Sequence, residues 1–141
     1  MSWTGFETFD TAIQKADLWL KQIMLELNTD SKRRAYMGMR AVLHALRDRL
    51  TIDEAVDLGA QLPLLIRGVY YDEWDPSRNP VKDRHLDEFL AHIQTNYKSE
   101  SSQELEQTVK AVFRVLRSKI TEGEIRDVKG MMPDELKSLW K

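Results

Sequence analysis

Three groups of residues combine types and spacings that could do chemistry. His85, Glu88 and His92 are spaced by three and four, so a helix would carry them on one side. Two imidazoles and a carboxylate suit a divalent metal with open positions. The same spacing describes a solvated helix start, where an acid such as Glu88 is favoured by the dipole. Seventy residues earlier stand Lys15, Leu18 and Gln22, which echo no ligand set. A metal also needs a fourth ligand and supporting hydrogen bonds. We therefore assign no metal and no cofactor, and keep the triad as a candidate only.

A basic stripe is the second group. Arg33, Arg40 and Arg47 are seven apart and share a helix side, with Lys32 and Arg34 adding charge at its beginning. Cations at a helix amino terminus oppose the dipole, so something must favour them. A bound anion such as phosphate would do so. Intramolecular pairing would do so too, and Arg47/Arg117 recur 70 residues apart together with Glu54/Glu124 and Asp57/Asp127, as structural bridges would. The expected partners of Arg47 and Arg117 are those acids of their own halves.

The third group is Arg67, Tyr71 and Trp74, just ahead of Pro76 and Pro80. Rigid aromatics beside an arginine make good anchors for a ligand or partner. The alternative is that Trp74 pins a connecting segment onto the core, with Tyr71 half exposed and Tyr70 buried. His44 lies beside an apolar stripe and aligns with Arg114, so it is expected to be partly exposed and not a catalytic base.

Other chemistry is excluded by composition. There is no cysteine, hence no thiolate nucleophile, disulfide or cysteine-ligated zinc. No Gly-rich phosphate loop, G-x-S-x-G elbow or H-E-x-x-H helix is present. With 21 basic and 23 acidic residues the net charge is −2, so nucleic acid is not an expected partner. The opening MSWTGFETFD lacks the pattern of a secretory signal. The longest apolar run, Leu62 to Ile66, is far short of the ~20 residues that cross a bilayer. No membrane association and a cytoplasmic location are expected.

The elements that must position these residues come from a repeat. A shift of 70 aligns residues 15–71 with 85–141 without a gap, and twelve of the 57 pairs are identical, among them Val42/Val112, Leu46/Leu116, Thr51/Thr121 and Pro63/Pro133. Ala35, Met39, Val42, Leu43, Leu46 and Leu50 step by three and four, as one helix face does, and Leu105 to Ile120 repeat the steps. Phe9, Ile13, Ala16, Leu20, Ile23 and Leu27 form a second stripe, matched by Leu86, Phe89, Leu90, Ile93 and Tyr97. Thr51 with Glu54, and Thr121 with Glu124, have capping-box spacing. Pro63 and Pro133 suit first helical turns. The spacing predicts helices near 9–27, 31–49, 52–61, 63–71, 86–97, 102–119, 122–131 and 133–140, and no sheet.

The expected fold is therefore all-α: a single domain over residues 1–141, built as a pseudo-twofold bundle of two tandem four-helix units, 15–71 and 85–141. The linker 72–84 joins them, with two prolines and seven charges. Neither unit alone buries much of its apolar surface, so the two should share one core.

The stretch AVLHALRDRL from Ala41, the Ala60–Pro63 step, and Arg67-Gly68-Val69-Tyr70-Tyr71 followed by Trp74 and Pro76 resemble an uncharacterised prokaryotic family, domain of unknown function 2267. The likeness covers nearly the whole chain and is best in the first unit; the second keeps Ala111-Val112-Phe113 and Pro133 but lacks the tyrosine pair. The resemblance implies an all-helical cytoplasmic protein of bacterial type and supplies no catalytic residue. The leading expectation is a non-enzymatic interaction module that binds a protein partner or its own copy. The alternative is a small-ligand or anion binder at the inter-unit junction, using Arg67, Tyr71, Trp74, Arg33 and Arg40.

Overall fold

A computed structural model of the chain describes residues 3–95, 97 and 101–141. Among these there are eight α-helices, two 3-10 turns and no strand. The helices are α1 (Glu7–Leu27), α2 (Lys32–Arg49), α3 (Ile52–Ala60), α4 (Leu64–Tyr71), α5 (Leu86–Gln94), α6 (Ser102–Lys119), α7 (Glu122–Gly130) and α8 (Asp134–Lys137), which runs on as a 3-10 turn over Ser138–Trp140. The predicted register holds: α2 and α6, and α3 and α7, begin and end 70 residues apart. Serine and threonine hydroxyls set the starts. Ser31, Thr51, Ser101 and Thr121 each accept the backbone N–H three residues on.

Contacts between the units are reciprocal. Helix α1 packs on α6 while its counterpart α5 packs on α2. Helices α2 and α6 cross each other, as do α3 and α7, the pattern of an approximate twofold relation. At the first crossing Gly38 meets Thr108, its own repeat mate, where a Cβ would lie only 2.8 Å from the Thr108 methyl. A small residue on one side lets these two helices approach. At the second crossing Thr51 Oγ1 reaches Met131 Sδ, and Thr121 N donates to Gln61 Oε1. Gln61 and Met131 are themselves repeat mates.

One core serves both units. Ile23, Val42, Leu46, Leu90, Ile93, Val112 and Leu116 are buried in a single apolar cluster with Tyr70 and Trp140. Trp140 stacks on Phe113 at 4.0 Å between centroids. Two expectations need correction. Leu20 is only partly buried, and Phe9 is 53% exposed, set edge-on against Phe6 where α1 projects past the core. Helix α5 also ends at Gln94, three residues short of the predicted limit; of the remainder Asn96 lies outside the described residues, and Tyr97 is buried. No described helix is long and apolar enough to cross a membrane.

Candidate functional site

The recurring arginines take the same place in each unit, but not beside the expected acids. Arg47 donates through Nη1 to the carbonyls of Tyr70 (2.8 Å) and Asp72 (3.1 Å). Arg117 donates through Nη1 to the carbonyl of Trp140, the repeat mate of Tyr70. Each guanidinium thus holds the end of its unit's last helix, where carbonyls lack intrahelical partners. The predicted Arg47 and Arg117 bridges to Glu54, Asp57, Glu124 and Asp127 are overturned. A guanidinium reaches carbonyls on a neighbouring element as readily as carboxylates, and residue spacing does not distinguish them.

Lys32 and Arg40 of the basic stripe also meet internal acceptors. Lys32 pairs with Asp17 at 2.6 Å. Arg40 Nη2 lies 3.2 Å from Asp72 and 3.1 Å from Glu73. Arg33 is exposed. His44 departs from its expected exposure: it is buried, and its Nε2 donates to the Val69 carbonyl at 2.7 Å. Burial holds its pKa below the ordinary imidazole range, so it is neutral.

Around Arg47 the first unit builds a covered groove. Trp74 lies with its ring 6.0 Å from the Arg47 guanidinium carbon, stacks on Tyr71 at 5.5 Å, and donates from Nε1 to Asn79 at 2.8 Å. Asn79 in turn donates to the carbonyls of Arg47 and Leu50. The Tyr71 hydroxyl sits over Gly59, where a Cβ would collide with it. Only 4% of Arg47 remains exposed. Arg67 caps the end of α3, donating to Gly59 O (2.9 Å) and Leu62 O (2.8 Å). It also lines an inter-unit cavity of about 610 Å³ with Lys15, Trp19 and Lys119, in which Tyr71 and Trp74 take no part.

The second unit leaves the equivalent groove open. A cavity of about 580 Å³ is lined by Arg117, Glu122, Ile125, Arg126, Lys129, Gly130 and Lys137. Shifted back by 70, those are Arg47, Ile52, Ala55, Val56, Gly59, Ala60 and Arg67, so the cavity occupies the place that Tyr71 and Trp74 cover in the first unit. Lys141 stands where Tyr71 does, and Lys129 replaces Gly59. Arg117, unlike Arg47, is exposed. Four cations face one acid, and among the described residues neither Arg126 nor Lys129 has an ion-pair partner. The sequence reading missed this groove. Its signal was the pair of exchanges Val56/Arg126 and Gly59/Lys129, two gains of positive charge against a conserved frame.

The histidine triad is not brought together. His85 Nδ1 pairs with Glu135 at 2.7 Å, and Glu88 accepts from the backbone amides of His85 and Arg84 at the start of α5. His92 stands between Asp48 (3.5 Å) and Asp83 (3.7 Å). The hydrogen bond that His92 donates to Asp48 raises the His92 pKa above the usual range. Burial opposes the charge of Asp48, yet His92 and Arg47 (2.9 Å) more than offset it and hold that carboxyl low. This is an ion-pair network joining α2, the linker and α5.

A different trio does converge. One carboxylate oxygen each from Glu54, Asp57 and Glu124 lie within 4.8 Å of one another at the α3–α7 crossing, the one such group found among the described residues. Glu54 and Glu124 are repeat mates, and the carboxylate half of each predicted capping box is not made: Thr121 N is taken by Gln61, and the glutamates turn inward. Burial first, and then the facing Glu54, push the Glu124 carboxyl up to about 8.

Residues 16–139 match the family model described as "Uncharacterized conserved protein (DUF2267)". No curated protein matches the chain.

Proposed function

The chain belongs to the DUF2267 family, whose description names no activity, and we propose that it is a non-enzymatic binding module, cytoplasmic in location, whose receiving surface is the open groove of the second unit. The partner is a protein segment rich in acid and carrying an aromatic side chain. A single observation carries this reading. The first groove holds the chain's own Tyr71-Asp72-Glu73-Trp74, an acidic aromatic segment, whereas the described residues lining the second are mostly cationic, Arg117, Arg126, Lys129 and Lys137, with Lys141 in the repeat position of Tyr71.

The two grooves also differ in what they accept. Over Arg117 an indole could lie as Trp74 lies over Arg47, gaining cation–π attraction. A tyrosine in the pose of Tyr71 would collide with the Cβ of Lys129, as it would with any side chain at Gly59. A carboxylate in its place would instead meet Lys129 and Arg126. Charge complementarity of this kind governs association rate and partner choice more than raw affinity.

The test is fluorescence polarisation with a labelled peptide carrying one tryptophan among glutamates and aspartates, beside its amide counterpart. Saturable, salt-sensitive binding of the acidic peptide is expected, weakened ~10-fold or more by Lys129→Glu or Arg126→Glu. Equal binding of the two peptides, or none, rejects the reading. Competition by inorganic phosphate at matching concentration would reassign the groove to small anions. Self-association that Lys129→Glu abolishes would make the partner a second copy of the chain.

A further inference from the structure

We propose that Glu54, Asp57 and Glu124 form a binding site for a divalent hard cation of the magnesium, manganese or calcium class, set on the seam between the two units. The donors are three carboxylates converging within 4.8 Å, with no imidazole or thiolate, a set that suits oxygen-seeking cations over zinc or copper. A cluster of acids alone would be unremarkable on a surface. Here, however, Glu54 is 8% and Glu124 9% exposed, and the Oε2 atom of each is buried without a hydrogen-bond partner. Two repeat-related glutamates, each with a buried carboxylate oxygen that lacks a hydrogen-bond partner, converge here with Asp57, a costly arrangement unless something positive lies between them.

Among the described residues no basic group forms an ion pair with Glu54, Asp57 or Glu124. The charges that act most strongly on Glu124 are Glu54, Asp57 and Asp127, all acids. The hydroxyls of Thr51 and Thr121 accept from the backbone amides of Glu54 and Glu124, and that of Thr51 donates to Met131 Sδ. The Tyr70 hydroxyl, nearby on α4, is spent on the Ala55 carbonyl. One proton shared by the two glutamates would neutralise a single charge and leave Asp57 unanswered. A cation answers all three carboxylates and takes its remaining ligands from water, since Asp57 is exposed and opens the site to solvent. Because Glu54 comes from α3 and Glu124 from α7, the bound ion would tie the first unit to the second.

The experiment uses the full chain stripped with chelator and adds magnesium, calcium or manganese chloride at about pH 8, high enough for a cation to displace the proton held by Glu124. Thermal unfolding and manganese electron paramagnetic resonance are recorded for the parent, Glu54→Gln, Glu124→Gln and Lys129→Glu. The expected result is a saturable rise in melting temperature and binding of one manganese per chain, weakened ~10-fold or more in both Gln variants. Lys129→Glu should bind the cation as the parent does, which separates this site from the peptide groove. The Gln variants remove repulsion without changing shape, so they should fold. Equal responses of parent and Gln variants would show only diffuse attraction to surface acids and overturn the site. No response at millimolar cation, with a pH dependence of stability that Glu124→Gln removes, would overturn it in favour of a shared proton.

Discussion

The two units use one frame to opposite ends. In the first, Trp74 and Tyr71 close over Arg47, and a glycine at position 59 makes room for the tyrosine hydroxyl. In the second, lysines stand at positions 129 and 141, and Arg117 stays exposed above an open, cationic cavity. Both arginines still hold the carbonyl that ends the last helix of their unit. The duplicated scaffold thus covers one arginine with aromatics and leaves its repeat mate exposed beside a cationic cavity, the surface at which we propose that a partner docks.

The comparison breaks first at the shared core. Leu46 and Leu116 are both fully buried repeat mates, so Leu46→Ala and Leu116→Ala should each cost ~2–5 kcal/mol in urea unfolding. A large cost for one and a negligible cost for the other would show that the units do not share a core equally. Next in size is Gly59→Lys, which gives the first groove the lysine of the second. It should expel Tyr71, cost ~1–3 kcal/mol through overpacking, and raise the reactivity of Tyr71 toward tyrosine-directed reagents. The mirror change, Lys129→Gly, should leave stability within ~0.5–1 kcal/mol of the parent, the loss being that of glycine in a helix.

Trp74→Ala sharpens the same contrast from the other side. It should cost ~1–2 kcal/mol, because the ring is only partly buried. It should also leave peptide binding at the second groove intact, as read by the polarisation assay. Loss of that binding together with unchanged stability would move the receptive surface to the first unit.

Smaller than the core effects is the pH dependence at the seam, measured with chelator present. The Glu124 carboxyl is raised to about 8 in the folded chain from an ordinary value near 4.5. Between those limits the folded state binds more protons than the unfolded state, so stability must fall as pH rises, present below the lower limit and lost above the upper. His92, raised by Asp48, shifts stability in the same direction near neutrality. The difference between the parent and Glu124→Gln therefore isolates the seam. The variant should be flatter from acid to alkaline pH and the more stable by ~1–2 kcal/mol at the alkaline end. Parallel curves for the two proteins would mean that the glutamates do not interact.

Much of this molecule is written locally. Apolar residues at three and four, hydroxyls at the cap positions and prolines at first turns act over one or two turns of chain, so helix identity and the 70-residue register of α2 with α6 and α3 with α7 follow from the residues themselves. What tertiary structure decided is where the polar side chains went. Arg47 has a carboxylate beside it at Asp48, and its other hydrogen bonds go to carbonyls contributed by residues 70 and 72 once α4 packs on α2. Glu54 has capping-box spacing, yet it turns from its cap toward Glu124 because the twofold crossing of α3 and α7 sets repeat mates face to face. Long polar side chains choose among acceptors that lie far apart in the chain, and that choice depends on angles and separations between helices which periodicity does not encode.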